Sequence, residues 1–216
     1  MQPNGMIFWD WNGTLMDDVD FTHSCLNWML ETHGYPQRYN LAAYRELFGF
    51  PIEDYYRCAG FDFARHPYPE LATRFMEHYN AGVPGCAVTA HAVDTLQTLA
   101  RMGWQQAVLS ASRRDYLIEQ VRARGLEDYF TELLGLQDIY GVSKVQVGKD
   151  WLRNSGVDPA ACMMVGDTPH DAEVAAAMGT KCVLCTSGHQ SRARLEKASP
   201  YVIDDLAQLP ALLETI

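Results

Sequence analysis

The sequence has few basic residues for its length. Its 216 residues include 17 lysines and arginines against 27 aspartates and glutamates, which gives a formal net charge of −10. Because nonspecific binding to nucleic acid depends on clustered basic side chains, this balance argues against a DNA- or RNA-binding protein. The surplus of carboxylates suits a divalent cation. With 48% hydrophobic and 20% charged residues, the chain has the composition of a globular protein.

Long hydrophobic runs and a secretion signal are also missing. No stretch of about eighteen apolar residues exists, so no transmembrane helix and no membrane partner are expected. The N-terminus lacks basic residues followed by a long apolar run, and we expect a cytoplasmic protein. Its six cysteines are therefore expected to be reduced thiols. The Cys-x-x-Cys pair, Cys182 and Cys185, is interpreted as part of a buried strand, because a zinc site would need further ligands.

Short apolar runs alternate with helical patterns through most of the chain. Each run ends at a polar residue or a glycine, as the doubly buried strands of a parallel sheet do. The predicted strands are residues 6–9, 107–109, 133–136, 162–165, 182–185 and 201–203. Between them, apolar residues recur with helical spacing. This alternation predicts an α/β fold, a doubly wound, Rossmann-like parallel sheet with helices on both faces.

Residues 17–82 interrupt this alternation and are predicted to be wholly helical. Helical patterns cover residues 21–31, 41–48, 52–58 and 71–79, separated by glycines and prolines. We therefore expect two units: an α/β core formed by residues 1–16 and 83–216, and an all-helical inserted domain formed by residues 17–82. The aromatic side chains of the inserted domain are expected to form its own core.

Carboxylates follow two of the predicted strands. Asp10 comes directly after the first strand, and Asp167 and Asp171 follow the fourth, around a turn that enters a helix. Ligands of open α/β sheets bind at the carboxyl ends of the strands. If the two strands are neighbours, the three carboxylates meet at one edge of the sheet. Their mutual repulsion requires a cation, and oxygen ligands of this kind suit Mg²⁺.

A hydroxyl and an amino group complement these acids. Ser110 ends the second strand and is suited to donate to a phosphate oxygen, while Lys144, beyond the third strand, supplies a positive charge. Together these residues predict a site for phosphoryl transfer. Asp10 would attack phosphorus and form an aspartyl-phosphate, while the metal and the lysine neutralise the charge on the phosphoryl oxygens.

The order of these motifs resembles the haloacid dehalogenase superfamily of phosphohydrolases over essentially the whole chain. The family's first motif, Asp-x-Asp-Gly-Thr after a strand, is matched by Asp10-Trp11-Asn12-Gly13-Thr14. Its second motif is matched by the strand end at Ser110, and its third by a lysine before a helix. The fourth is matched by the turn Gly166-Asp167 with Asp171 four residues beyond the second of these.

The resemblance implies a role for each matching residue. Asp10 would be the nucleophile and a Mg²⁺ ligand, and Asn12 would offer its backbone carbonyl to the metal. Asp167 would be a further ligand, with Asp171 supporting it. The side chains that would orient the phosphoryl group are those of Thr14, Ser110 and Lys144. Lys149 is the alternative for the lysine, although it falls about one turn into the following helix.

The resemblance also implies that the inserted helices form a cap, of the type found in phosphoglycolate phosphatase-like members. Residues 15–19 would be the hinge through which the cap closes and excludes water. Residues 48–52 resemble the specificity loop of such caps. Arg45 and Arg57 could bind a second anionic group of the substrate, or could be ordinary surface charges. The expected partner is a small phosphorylated metabolite.

One residue departs from the family pattern. The second aspartate of the first motif, which protonates the leaving oxygen and later activates water, is replaced by Asn12. An amide cannot shuttle a proton, and general acid–base help is worth about 10²–10⁴-fold. Hydrolysis would then be weak or selective, unless His170 or a water substitutes; His170 could equally be an ordinary residue at a helix start. His189, after the fifth strand, could lie at the same edge or make a loop or cap contact.

Two kinds of relative that lack this aspartate can be compared. Phosphonatase-like members use a cap lysine, but residues 17–82 contain no lysine. Haloacid dehalogenases act without a metal, whereas Asp167 and Asp171 are both retained here. We therefore predict a Mg²⁺-dependent phosphohydrolase. The alternative is a catalytically silent protein that binds phosphorylated ligands or a partner.

Overall fold

Strands and helices alternate through most of the computed structural model, which describes residues 5–140 and 143–216. Its strands are β1 (Gly5–Trp9), β2 (Met16–Asp17), β3 (Ala87–Val88), β4 (Trp104–Arg113), β5 (Glu132–Leu136), β6 (Cys162–Gly166), β7 (Lys181–Cys185) and β8 (Val202–Ile203). Its α-helices are α1 (Val19–Thr32), α2 (Leu41–Leu47), α3 (Ile52–Ala59), α4 (Tyr68–Gly82), α5 (Ala92–Arg101), α6 (Arg114–Ala123), α7 (Val145–Ser155), α8 (Pro169–Met178), α9 (Arg192–Ala198) and α10 (Leu209–Leu213). Residues 1–4, which the sequence assigns to the core, lie outside the described residues.

Six strands form one sheet in the order β5-β4-β1-β6-β7-β8, and every pairing within it is parallel. β1 lies inside the sheet, with Trp9 opposite Val108 of β4 on one side and Val165 of β6 on the other. This arrangement confirms the predicted doubly wound α/β fold. It also brings the first and fourth predicted strands side by side, so the residues after them meet at one edge.

The sheet is buried on both faces, and β1 illustrates why its sequence is apolar throughout. Ile7 and Trp9 pack into the hydrophobic core on one face, whereas Met6 and Phe8 pack into the core on the other. Successive side chains of a strand point to opposite faces. A strand between two layers of helices therefore has no solvent-facing position, and an uninterrupted apolar run is the result.

β4 is longer than the predicted strand 107–109, because a buried polar residue near its start interrupts the apolar run from which the strand was predicted. Gln106 is only 2% exposed. Its Oε1 accepts a hydrogen bond from Nε1 of Trp9 at 3.1 Å, and its Nε2 donates to the carbonyl of Leu96 at 3.0 Å. An amide satisfied at both ends is tolerated in a core. At the other end β4 continues to Arg113, with a shift of its register against β5 after Leu109, so Ser110 lies within the strand rather than behind it.

Helices α1–α4 pack around a separate apolar core. Its most deeply buried side chains include Leu26, Met29, Leu30 and Tyr44. The observed helices differ from the predicted ones mainly at their ends: α1 begins two residues earlier, and α4 starts at Tyr68 with a proline in its first turn, a position that tolerates the missing N–H. Below, these four helices are called the helical insert.

A two-stranded antiparallel pair that the sequence did not predict joins the two ends of the helical insert. Met16 lies opposite Val88, and Asp17 opposite Ala87. Strands of two residues are too short to produce a recognisable alternating pattern. Within the described ranges, no helix combines the length and the apolar character that crossing a bilayer requires.

Candidate active site

An ion-paired cluster of acids lies at the carboxyl edge of the sheet. Asp10 follows β1, Asp167 follows β6, and Asp171 lies in the first turn of α8. One carboxylate oxygen from each lies within 4.8 Å of the others, and all three residues are buried. The sheet order produces this meeting point, because β1 and β6 are adjacent and parallel. The structure thus brings together at one edge the three carboxylates that the sequence analysis expected to meet there.

Lys144 pairs with two of these acids. Its Nζ lies 2.5 Å from Oδ1 of Asp10 and 2.6 Å from Oδ1 of Asp171, and its side chain is 2% exposed. Burial alone would lower the pKa of Lys144, but the two carboxylates outweigh burial and hold the pKa above its usual value. Lys144 therefore remains charged. Lys149, the alternative from the sequence, is exposed on α7.

The acids outnumber the lysine, and their pKa values reflect this. Burial raises the pKa of Asp10 to about 8; Lys144 opposes the shift, and the neighbouring carboxylates add to it. Burial likewise raises the pKa of Asp167 to about 6. Burial would also raise the pKa of Asp171, but Lys144 and nearby hydrogen-bond donors hold it below its usual value. The cluster is thus short of positive charge around Asp10 and Asp167.

Asp171 organises the turn that carries Asp167. Its Oδ2 accepts hydrogen bonds from the backbone N–H of Asp167 at 3.1 Å, and from the N–H and hydroxyl of Thr168 at 3.0 and 2.8 Å. Thr168 is the N-cap of α8, and the two side chains form a capping box. From the sequence, Asp171 is expected to support Asp167, and these hydrogen bonds are a physical means by which it could do so.

Two groups orient Asp167 from the opposite side. The hydroxyl of Thr14 donates to Oδ1 at 3.1 Å, and the backbone N–H of His189 donates to Oδ2 at 2.6 Å. Thr14 is fully buried, so its hydroxyl is committed to this carboxylate. Gly13 lies against Asp167 and the ring of His189 and has a φ of +71°. A Cβ at this position would lie 2.5 Å from Oδ2 of Asp167. Glycine is therefore required there on both conformational and steric grounds.

The amide of Asn12 is part of a network that the sequence analysis missed. Its Nδ2 donates to Oδ2 of Asp18 at 2.9 Å and to the hydroxyl of Tyr79 at 2.7 Å. Its Oδ1 accepts from the hydroxyl of Ser112 at 2.7 Å. The two amide hydrogens and the carbonyl thus all have partners of matching type. Ser112 lies two residues beyond Ser110 on β4, and this period-two spacing is the one sequence signal that could have identified it.

Asp18 is the acceptor at the centre of this network. It is 1% exposed and also accepts from the N–H of Gly13 at 2.8 Å and from the hydroxyl of Tyr79 at 2.5 Å. Burial alone would raise the pKa of Asp18, but a hydrogen bond and charge from His189, with smaller effects of its other donors, hold the pKa below its usual value. Asp18 is therefore an ionised residue with no proton to donate.

His189 connects the core to the helical insert. Its Nδ1 lies 2.7 Å from the hydroxyl of Tyr44, and its Nε2 lies 3.5 Å from Oδ1 of Asp18. The ring of Phe48 stacks on the imidazole with a centroid separation of 4.7 Å. Burial would lower the pKa of His189, but Asp18 and the other acids raise it above its usual value. His189 therefore both lies at the edge where the acids meet and contacts the helical insert, so the structure shows both of the positions considered for it.

A cavity of about 150 Å³ lies between the acidic cluster and the helical insert. Its core side includes Asp10, Asn12, Ser110 and Asp167. Its insert side is largely aromatic and includes Phe48, Phe50, Tyr55, Tyr56, Tyr68 and Phe75. Residues 48–52, which resemble a specificity loop, contribute three side chains to this lining. The nucleophile candidate Asp10 therefore faces a largely apolar space that is partly open to solvent.

Other residues weighed in the sequence analysis lie away from this cavity. Arg45 donates to the carbonyl of Ser187 at 3.3 Å, and Arg57 pairs with the neighbouring acids Glu53 and Asp54. The idea that either arginine binds a second anionic group is therefore not supported. His170 stacks on Phe50 at 4.6 Å and lies 3.1 Å from Glu173. The two cysteines of the Cys-x-x-Cys pair are buried free thiols of β7.

Comparisons with known proteins agree with this architecture. A phosphoglycolate phosphatase of Pasteurella multocida is 28% identical to this chain over 147 residues. The match covers 67% of this chain and 66% of that protein, so this chain spans slightly less than two thirds of the relative's length. The pyrophosphatase PpaX of Bacillus pumilus is 25% identical over 184 residues, 81% of this chain and 80% of that protein. A haloacid dehalogenase-like hydrolase structure from Streptococcus pneumoniae superposes with a TM-score of 0.84. The superposition covers 97% of this chain and 98% of the Streptococcus pneumoniae chain. At 18% sequence identity, this match shows a shared fold.

A protein-family model extends this agreement from the fold to the sequence. The model, described as haloacid dehalogenase-like hydrolase, matches residues 7–185. This range begins in β1, includes the helical insert, and ends with β7, so it spans all the strand ends that carry the acidic cluster. The chain therefore belongs to the haloacid dehalogenase-like hydrolase family.

Proposed function

We propose that this protein is a Mg²⁺-dependent phosphohydrolase that acts on a small phosphorylated metabolite through an aspartyl-phosphate on Asp10. The observation that carries the proposal is the buried cluster in which Asp10 lies beside Lys144, Asp167 and Asp171 and opens onto a cavity. Relatives named as a phosphoglycolate phosphatase and a pyrophosphatase support a phosphorylated substrate.

The acidic cluster fits a magnesium ion. Among the described residues, none donates to Oδ2 of Asp10, and each oxygen of Asp167 accepts one hydrogen bond and keeps a lone pair. Both oxygens of Asp171 are engaged by Lys144 and Thr168. Asp10 and Asp167 would therefore hold the ion together with the backbone carbonyl of Asn12, and Asp171 would support them. When bound, Mg²⁺ would neutralise charge on the phosphoryl oxygens.

The remaining steps use side chains of this chain. A carboxylate oxygen of Asp10 attacks phosphorus, the bond to the leaving oxygen breaks, and water later hydrolyses the resulting acyl phosphate. Lys144, held next to Asp10, would keep a positive charge beside the phosphoryl group. The hydroxyl of Ser110, which lines the cavity, would donate a hydrogen bond to a phosphoryl oxygen. Thr14, whose hydroxyl bonds to Asp167, would act by orienting that carboxylate rather than by touching phosphate directly.

The helical insert, predicted as a domain over residues 17–82, would serve as the cap. Contacts of Tyr44 and Phe48 with His189 hold it against the core, and its aromatic side chains cover the cavity. Enclosing the phosphoryl group in this way excludes bulk water and strengthens electrostatic interactions within the site.

Asn12 limits the range of substrates. Its amide binds Asp18, Tyr79 and Ser112 and has no transferable proton. Since general acid help of about 10²–10⁴-fold is missing, substrates whose leaving group departs without protonation should react best.

Turnover of acetyl phosphate tests the proposal, because this small substrate has a good leaving group. We expect phosphate release that requires Mg²⁺ and falls to background in Asp10→Asn. Asp94→Asn, which makes the same change at an exposed position of α5, is the matched control and should retain full activity. Mass spectrometry of the acid-quenched wild type should detect phosphate on Asp10. Equal rates in Asp10→Asn and wild type would contradict the proposal, and binding of phosphorylated ligands without any turnover would favour the silent alternative.

A further inference from the structure

From the lining of the cavity, we propose that the substrate is the phosphate monoester of a one-ring phenol. The ring would lie against the aromatic side chains of the helical insert, and the phosphate would lie against Asp10. This inference rests on the proposed phosphohydrolase function and adds the substrate class to it. Three features of the cavity support it.

The first feature is the uncharged, aromatic character of the insert side. Tyr56 contacts the rings of Tyr68 and Phe75, with centroid separations of 5.7 and 6.3 Å, and Phe75 stacks on Tyr79 at 5.9 Å. Among the described residues, none of those that line the cavity between positions 48 and 79 carries a charge. Aromatic walls of this kind bind another ring through offset stacking and edge-to-face contacts.

The second feature is size. The cavity measures about 150 Å³. An apolar cavity of about this volume in an unrelated protein binds benzene. A single ring is therefore the right scale for the group that occupies the apolar part of the cavity.

The third feature is the shortage of positive charge for a second anionic group. Among the described residues of the lining, Arg113 and His189 are the two that could carry a positive charge. The guanidinium of Arg113 makes two hydrogen bonds of 2.6 Å to Asp115 and lies 3.9 Å from the ring centre of Tyr116. Nε2 of His189 lies 3.5 Å from Oδ1 of Asp18. Both side chains therefore already face a carboxylate of this chain, and a carboxylate or a second phosphate of the substrate would lack a counter-ion of its own, which is unfavourable in a buried site. This argues against phosphoglycolate and pyrophosphate as substrates of this chain.

The chemistry of Asn12 selects a phenol rather than an aliphatic alcohol. As the bond from Asp10 to phosphorus forms, the bond from phosphorus to the phenolic oxygen breaks, and the phenolate leaves with the electron pair. Phenols have a pKa of about 10, so the phenolate departs without a general acid and takes its proton from water afterwards. Water then attacks phosphorus, the bond to Asp10 breaks, and inorganic phosphate is released.

Ligand binding to the wild-type protein separates the cavity's preference from the reactivity of the substrates. Phenylphosphonate and phosphonoacetate cannot be hydrolysed, and they present a ring and a carboxylate respectively. In calorimetric titrations with Mg²⁺ present, we expect phenylphosphonate to bind at least about 10-fold more tightly than phosphonoacetate. Equal affinities, or tighter binding of phosphonoacetate, would overturn the inference.

Steady-state kinetics give a second test. For phenyl phosphate, we expect kcat/KM to exceed that for phosphoglycolate or pyrophosphate by about 100-fold or more. Pyrophosphate matters here because it also has a good leaving group, so a preference for the phenyl esters over it comes from the cavity. Acetyl phosphate turnover reports on the proposed function alone: if it is hydrolysed while the phenyl esters are not preferred, only the substrate class is wrong.

A substitution in the lining tests whether the uncharged wall selects the ring. Met76→Lys adds a positive charge to the cavity wall, and Met76→Leu is its uncharged control. We expect Met76→Lys to lower the ratio of phenyl phosphate to phosphoglycolate kcat/KM by about 10-fold or more and Met76→Leu to leave this ratio near the wild-type value. An unchanged ratio in a correctly folded Met76→Lys variant would overturn the assignment.

Discussion

We expect the Asn12→Asp variant to gain hydrolytic activity and to lose stability, because its new carboxylate would lie beside that of Asp18. In the wild-type protein the amide of Asn12 donates to Oδ2 of Asp18 at 2.9 Å, and Asp18 is 1% exposed. Aspartate and asparagine have the same shape, so the variant would exchange a donor for an acceptor without moving the backbone. Two carboxylates would then face each other in a buried site.

The size of the penalty follows from the 2.9 Å separation. At an effective dielectric constant of about 20, two unit charges at 2.9 Å repel by about 6 kcal/mol. Taking up one proton at pH 7 costs only about 4 kcal/mol, because a carboxyl has an ordinary pKa of about 4 and each unit is worth about 1.4 kcal/mol. The two carboxylates should therefore share a proton, and the free energy of unfolding should fall by up to about 4 kcal/mol.

The shared proton would also provide a general acid at position 12, which the amide of Asn12 cannot supply. For an alkyl phosphate, whose leaving group needs protonation, we expect kcat to rise by about 10²–10⁴-fold. The double variant Asn12→Asp with Asp18→Asn exchanges donor and acceptor and restores the amide–carboxylate pair. It should recover most of the lost stability, whereas Asp18→Asn alone places two amide groups opposite each other and should be destabilised.

Chemical denaturation and alkyl phosphate kinetics on these four proteins provide the assay. A double-mutant cycle isolates the coupling between positions 12 and 18, which we expect to be favourable by a few kcal/mol, as contacting residues can show. An Asn12→Asp variant as stable as the wild type would refute the electrostatic argument. A stable variant without increased activity would show that some other residue controls the protonation of the leaving group.

Two further predictions concern the loop and the lysine of the site. Gly13→Ala should lower Tm and abolish Mg²⁺-dependent turnover, because its Cβ would lie 2.5 Å from Oδ2 of Asp167. Gly125→Ala, at φ of +65° but with no atom within 4 Å of the added Cβ, should cost only the backbone strain of about 1–2 kcal/mol. Lys144→Met leaves two buried carboxylates unpaired and should lower the free energy of unfolding by about 3–5 kcal/mol, part of which Mg²⁺ should restore in thermal-shift measurements. The exposed control Lys149→Met should change the free energy of unfolding by less than about 0.5 kcal/mol. Equal losses of stability in Gly13→Ala and Gly125→Ala, or in Lys144→Met and Lys149→Met, would contradict these expectations.

The meeting of the acids was predictable because it depends on sheet topology rather than on side-chain detail. Buried parallel strands have uninterrupted apolar sequences, and their carboxyl ends share one edge. Asp10 and Asp167 could therefore be assigned to a common edge before their distance was known. The same reasoning placed Ser110 beside them, although β4 continues past it.

The network around Asn12 could not be predicted, because its partners come from distant parts of the chain. Tyr79 lies in α4, and its hydroxyl reaches Asp18 across 61 residues of sequence. Tyr44 of α2 meets His189 in the same way, across 145 residues. These contacts depend on how the helices of the insert pack against the core. Apolar periodicity predicts that a helix exists and which face is buried, but not which polar side chain at its edge meets which partner.

The asparagine at position 12 and the uncharged wall of the helical insert have a common electrostatic consequence. The site already buries four aspartates, namely Asp10, Asp18, Asp167 and Asp171. A fifth carboxylate at position 12 would need either a proton or another cation, and none of the described residues between positions 48 and 79 that line the cavity is basic. Asn12 avoids that charge at the expense of a general acid, and the aromatic wall offers no counter-ion to a second anionic group. Both features therefore favour one kind of ester, whose leaving group is uncharged while bound and departs without a proton.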